Sequence, residues 1–170
     1  MINIEYNRQD AVNYANRWAL SRNPAYYDYS NIGGDCTNFA SQVLYAGTGV
    51  MNYNRENGWY YIDANNKSPS WTGVKFFYDF IVNNDGLGPY GEESSLSGLL
   101  PGDFIQLGDR MGNFYHTLVI TDIIRLGRRR VYYIAAHSMD AYRRNLLSYD
   151  FENYRGIHIL GARVEDSFDE

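Results

Sequence analysis

Apolar periodicity changes once along this 170-residue chain, near residue 84, and that change limits the fold more than any other feature. Before it, apolar residues recur at three- and four-residue steps. Residues 8–22 carry Ala11, Val12, Ala15, Trp18 and Ala19 on one stripe, with Asn7 to cap the start and Asn23-Pro24 to stop the run. A second helix is expected from Cys36 to Ala46, with Asp35 as N-cap. Phe39, Ala40, Val43 and Leu44 form its apolar face, and Gly47 is its stop. A third covers Thr72–Asn83. The stretch 48–70 reads as loop, and 84–102 as a Gly/Ser-rich connection ending in Leu100-Pro101-Gly102-Asp103. Strand signals follow at Phe104–Leu107, Tyr115–Ile124, Val131–His137 and Ile157–Val164. The second and third flank Arg125-Leu126-Gly127-Arg128, a hairpin turn. Helices first and strands second give an α+β class, with N-terminal helices packed on an antiparallel sheet. No internal repeat breaks the chain, so residues 1–164 read as one domain. Acidic residues 165–170 read as a tail or the start of a linker.

Composition removes several function classes. One cysteine, Cys36, excludes a disulfide framework and any multi-cysteine zinc or iron–sulfur site. No cofactor and no metal are expected. A net charge of −5 argues against nucleic acid as partner. No apolar run approaches the ~18 residues of a membrane span, so no integral membrane contact is expected. The N-terminus lacks the pattern of a secretory signal. The protein then stays inside, leaves by another route, or is part of a longer chain.

The chemistry concentrates in Gly33-Gly34-Asp35-Cys36-Thr37-Asn38-Phe39. This places a thiol in the first turn of a helix, where unpaired N–H groups and the helix dipole favour a thiolate nucleophile. The ordinary reading of a lone cysteine is a small buried hydrophobe. A nucleophile needs a base, and His116 opens the strand His116-Thr117-Leu118-Val119-Ile120. His137 ends the next strand. A turn centred near Leu126-Gly127 sets His116 opposite His137 on one face, where His137 could orient His116 as a third residue does in a triad. A slip of one residue would separate them. His158, in an alternating strand, reads as a solvent-face residue. Trp59-Tyr60-Tyr61 and Trp71 either line a groove or cover the core. The arginines at 125 and 128–130 read as a solvated turn. Asn83-Asn84-Asp85-Gly86 has too few oxygens at the right spacing for a calcium loop.

These segments, with Phe39-Ala40-Ser41-Gln42, Pro69-Ser70-Trp71, Leu100-Pro101-Gly102-Asp103, His116–Thr121 and Ala136-His137-Ser138, resemble the bacterial "putative amidase domain" family from about Tyr6 to Ile159. That family stands with the papain-like cell-wall hydrolases, beside NlpC-type and CHAP domains. The resemblance implies a papain-like fold with Cys36 as nucleophile, His116 as base and His137 as orienting residue, with Asp140 as a substitute for the last. It implies an oxyanion role for Tyr29, or Tyr27 beside it. Asp35 and Trp71 complete the expected oxyanion and substrate-binding set, and Asp103 is structural. The implied reaction is hydrolysis of a peptidoglycan amide in the stem peptide, the cross-bridge or the lactyl–L-alanine linkage. The setting would be a monomeric phage or prophage endolysin module released by a holin, or a module of a larger exported protein with a C-terminal wall-binding domain. Two other readings stay open. One is a non-catalytic wall- or peptide-binding module on the same fold. The other is an acyltransferase or deamidase using the same Cys–His site.

Overall fold

The structure, a computed structural model, describes residues 1–167. Expected residues 168–170 of the acidic tail lie outside the described residues. In chain order the elements are β1 (Ile2–Ile4), α1 (Arg8–Trp18), α2 (Cys36–Thr48), β2 (Tyr61–Asp63), β3 (Asn66–Lys67), α3 (Pro69–Thr72) and α4 (Val74–Asn83). Then come β4 (Gly88–Ser94), β5 (Phe104–Gly108), β6 (Phe114–Leu126), β7 (Arg129–Ala136), β8 (Ala141–Asn145) and β9 (Asn153–Val164). The class is mixed α+β, and every strand pairing is antiparallel.

The main sheet has seven strands in the order β1-β9-β5-β6-β7-β8, with β4 also pairing β9. Residues 162–163 of β9 pair with both β1 and β4, so those two strands flank it on opposite sides. Alternation divides the sheet's residues between two cores. Phe104, Val119, Ala135, Ile157 and Ile159 pack with Phe39, Ala40, Val43 and Leu44 of α2. Ile105, Leu107, Leu118, Ile120, Ile134 and Ala136 form a second core on the other face, closed by Leu99 and Leu146. The tyrosine excess is explained in part by Trp71, which is fully buried and surrounded by the rings of Tyr26, Tyr61, Tyr45 and Trp59 at 4.7–6.4 Å.

Several boundaries differ from the sequence expectation for identifiable reasons. Asn7 does cap α1, its side chain accepting from the Asp10 N–H, but the helix ends at Trp18. The Trp18 carbonyl accepts instead from His137 Nε2 at 2.7 Å. Gly47 does not stop α2. It lies inside the helix because the Tyr6 ring packs where a Cβ would stand, and Gly49 at φ 67° makes the stop. The third helix is broken by Gly73, in extended conformation, into α3 and α4. The short strands β1, β2, β3, β4 and β8 lie outside the expected set. Of these, β4 reads Gly-Pro-Tyr-Gly-Glu-Glu-Ser and has no apolar alternation to betray it.

Asp103 ties the first helix to the sheet. It is fully buried and accepts four hydrogen bonds, from Arg8 Nη1, His158 Nδ1 and the backbone N–H groups of Leu100 and Ile159, all at 2.7–2.9 Å. Its expected structural role fits this geometry. His158 is not a free solvent-face residue, since its ring is committed to that carboxylate. Asp103→Asn turns one acceptor into a donor facing another donor. Thermal unfolding should register a loss of about 2 kcal/mol, or roughly 4–8 °C for a chain of this length.

Candidate active site

The chain approaches α2 through Gly33 and Gly34, at φ 83° and 103°, a left-handed region that a side chain would strain. Cys36 is the first residue of α2 and is 8% exposed. The first intrahelical bond runs from the Phe39 N–H to the Asp35 carbonyl, which leaves the N–H groups of the first turn without helical partners. Next to the thiol, the Thr37 and Thr117 hydroxyls hydrogen-bond at 2.9 Å and pin the start of α2 to β6. β7 pairs with β6 only from Val119 onward, so this margin of β6 is uncovered by strand. α2 occupies it. Burial pushes the Cys36 thiol up from its ordinary value. The Thr117 backbone N–H and the Thr37 hydroxyl and N–H oppose that shift, and Asp35 adds to it. The resting sulfur is therefore a protonated thiol.

Asp35 occupies the N-cap position, yet its side chain makes no cap bond. One oxygen accepts from the Tyr29 N–H and the Asn38 amide, and the other meets His137 Nδ1 at 2.5 Å. Arg22 Nε stands 3.6 Å away. His137 stacks on Phe39 at 4.0 Å and gives its Nε2 proton to the Trp18 carbonyl. Both ring nitrogens are thus committed, and the Asp35–His137 pair clamps the approach to Cys36 onto the end of β7.

This corrects the expected pairing of the two histidines. The hairpin joins Val119 to Ala135 and Leu126 to Arg129, with an irregularity between Ile120 and Asp122. Extending the Val119–Ala135 register places His116 opposite residue 138, past the end of β7. His137 faces α2, whereas His116 pairs with Leu107 on the second-core side. His137 is not placed to orient His116. Nor is Asp140, whose two carboxylate oxygens bind Arg22 at 2.8 and 2.9 Å.

His116 immediately precedes Thr117 on β6, and its side chain points to the other face of that strand, so Cys36 and His116 share a strand segment whose β7-side edge is unpaired. No hydrogen bond joins them. The imidazole is partly buried against Tyr149, ring centroids 6.0 Å apart. Burial, helped by the nearby Arg144 charge, lowers its pKa from 6.5 to about 4. The ring is neutral, a free base, at ordinary pH. Tyr149 was invisible to sequence reasoning because no motif marks it. Its hydroxyl is buried without a partner, and Arg144 lies over its ring at 3.7 Å.

The remaining expected site residues serve the framework. Tyr29 gives its hydroxyl proton to the Ala64 carbonyl at 2.8 Å, so that proton is not offered to an oxyanion. Trp71 lies in the core with Nε1 on Asn38, and Trp59 is buried beside it, so these two form no groove. Asp35, fully buried, is not exposed to substrate. Sequence reasoning also missed Gln106, which continues the polar contacts from Thr117 deeper across the sheet.

The family model described as Putative amidase domain matches residues 5–160. A relative, "Uncharacterized protein YhbB" of Bacillus subtilis (strain 168), is 36% identical over 122 residues, which is 69% of this chain and 37% of the relative. The chain thus spans little more than a third of that relative's length. No solved structure matches.

Proposed function

We propose, for a chain that belongs to the putative amidase domain family, that it hydrolyses peptide amides of peptidoglycan with Cys36 as nucleophile and His116 as base. The observation that carries this reading is the thiol in the first turn of α2, set against β6 at the residue following a neutral histidine. The architecture is read as the papain-like arrangement of NlpC-type and CHAP wall hydrolases.

The two pKa shifts favour proton transfer at the moment of attack over a standing thiolate–imidazolium pair. His116 takes the proton from Cys36 Sγ as the sulfur bonds to the amide carbon. The oxyanion is met by the first-turn N–H groups of α2 and its dipole. The carbon–nitrogen bond then breaks, and His116 returns the proton to the leaving amine. Water, deprotonated by His116, attacks the thioester, releasing the carboxylic acid and restoring the thiol. Since the base must be neutral, activity falls only where His116 is protonated. The acid limb of kcat/KM should therefore lie near pH 4, well below the 6.5 of an ordinary histidine. A pH–rate profile with its limb near 6.5 would remove His116 from this role.

The test of the reaction is to incubate the protein and Cys36→Ala with purified peptidoglycan and identify new ends by mass spectrometry. New amine and carboxylate ends from the native protein alone are expected. Equal cleavage by both proteins, or no new ends from either, would overturn the reading. Products carrying an added amine would mark transfer in place of hydrolysis. Lysis of bacterial suspensions by the added protein checks the endolysin role.

A further inference from the structure

The polar contacts that begin beside Cys36 end in Arg155, a cation with no ion-pair partner among the described residues. Thr117, Gln106 and Arg155 are register partners across β6, β5 and β9, so their side chains share the face that α2 covers. Gln106 is fully buried. Its Nε2 donates to the Val74 carbonyl at 2.8 Å and to Thr117 Oγ1 at 3.2 Å, and its Oε1 accepts from Arg155 Nε at 2.8 Å. The Arg155 guanidinium is held between the Tyr78 and Phe114 rings, 3.6 and 4.0 Å from their centroids. With two rings against the guanidinium and an anchor at Nε, the edge that stays unengaged is that of the two terminal nitrogens.

That edge is open. Among the described residues, neither terminal nitrogen has a hydrogen-bond partner, and neither is a fully buried unpartnered atom, so each keeps some access to solvent in a half-buried side chain. No carboxylate of the described residues forms an ion pair with Arg155, whereas Arg8, Arg110 and Arg143 each pair with one carboxylate and Arg22 with three. Glu93 and Asp79 act on Arg155 only from a distance. A fixed, stacked guanidinium with a free two-donor edge matches a carboxylate in plane, through two parallel N–H···O bonds.

The position suits the reading of the site, on which this inference rests. Two strand spacings separate Arg155 from Thr117, about 10 Å, and Thr117 lies beside the Cys36 thiol. An extended peptide covers that span in about three residues. We propose that Arg155 binds a free carboxylate of the substrate, about three residues from the amide that Cys36 attacks. The preferred substrate is then an acid-ended peptide, and amidation of that carboxylate weakens its binding.

The test separates binding from catalysis. Cys36→Ala protein is titrated with acetylated tetra-alanine bearing a free C-terminal carboxylate, and with the same peptide as its C-terminal amide. Nuclear magnetic resonance of the arginine Nε–H signals follows the titration. The acid is expected to bind at least ~10-fold more tightly, with the Arg155 signal shifting. Adding Arg155→Met, which keeps the apolar stem between the rings, should make the two affinities equal. Arg155→Lys should restore only part of the preference. Equal affinities in the parent, a preference that survives Arg155→Met, or no saturable binding of the acid would overturn the proposal. A positive titration beside a protein that cleaves nothing would keep the receptor and discard the hydrolase. Cleavage beside equal affinities would do the reverse.

Discussion

Cys36→Ala is expected to lower kcat/KM for amide cleavage by at least about 10³-fold while leaving the fold intact. The size of the effect follows from chemistry: without the sulfur, no covalent intermediate forms, and only binding and oxyanion contacts remain. The change removes one buried atom from a helix start already fixed by the Thr37–Thr117 bond and by Asp35, so the melting temperature should move little. His116→Ala should cost about 10²–10⁴-fold. As the two residues act as one unit, the double variant should be little worse than Cys36→Ala alone. Additive losses, measured as steady-state rates on one substrate, would show that they do not act together.

The second large effect is on stability. Asp35→Ala leaves His137 buried with an unpartnered Nδ1, strips the acceptor from the Tyr29 N–H and the Asn38 amide, and removes an anion beside Arg22. Breaking a buried pair by removing one partner costs about 3–5 kcal/mol, so the melting temperature should fall by roughly 6–20 °C. His137→Gln separates the clamp from a triad. With both ring nitrogens committed to Asp35 and the Trp18 carbonyl, His137 holds structure and does not touch His116. The variant should melt lower, yet keep kcat within about threefold in protein shown to be folded. A loss of about 10²-fold in kcat, with the fold preserved, would return His137 to the catalytic set.

Legibility of the fold depended on how local each signal was. The start of α2, its glycines and the Cys36 position were readable because helix starts are set by neighbours within a few residues. So were β5, β6, β7 and β9, whose apolar alternation is strong. The histidine pairing was misjudged because register is not local. One irregularity between Ile120 and Asp122 and a turn shifted toward Gly127-Arg128 move His137 to the other face. The sequence leaves Trp71 open between groove and core, and the resemblance gives Tyr29 an oxyanion role, because their partners, Asn38 for one and Ala64 for the other, are 33 and 35 residues away. Arg155 gave no signal at all. Its meaning comes from Gln106, Tyr78 and Phe114, which meet it only across strands and a helix.

Acid quenching of the protein during turnover of a peptidoglycan fragment, followed by intact-mass and peptide analysis, looks for the thioester directly. The chain has one cysteine, so the adduct has one place to form. A mass increase equal to the acyl portion of the substrate, located on the peptide containing Cys36 and absent from Cys36→Ala, is the expected result. Cleavage that proceeds with no acyl adduct on Cys36, and at the same rate in Cys36→Ala, would contradict the account at its centre.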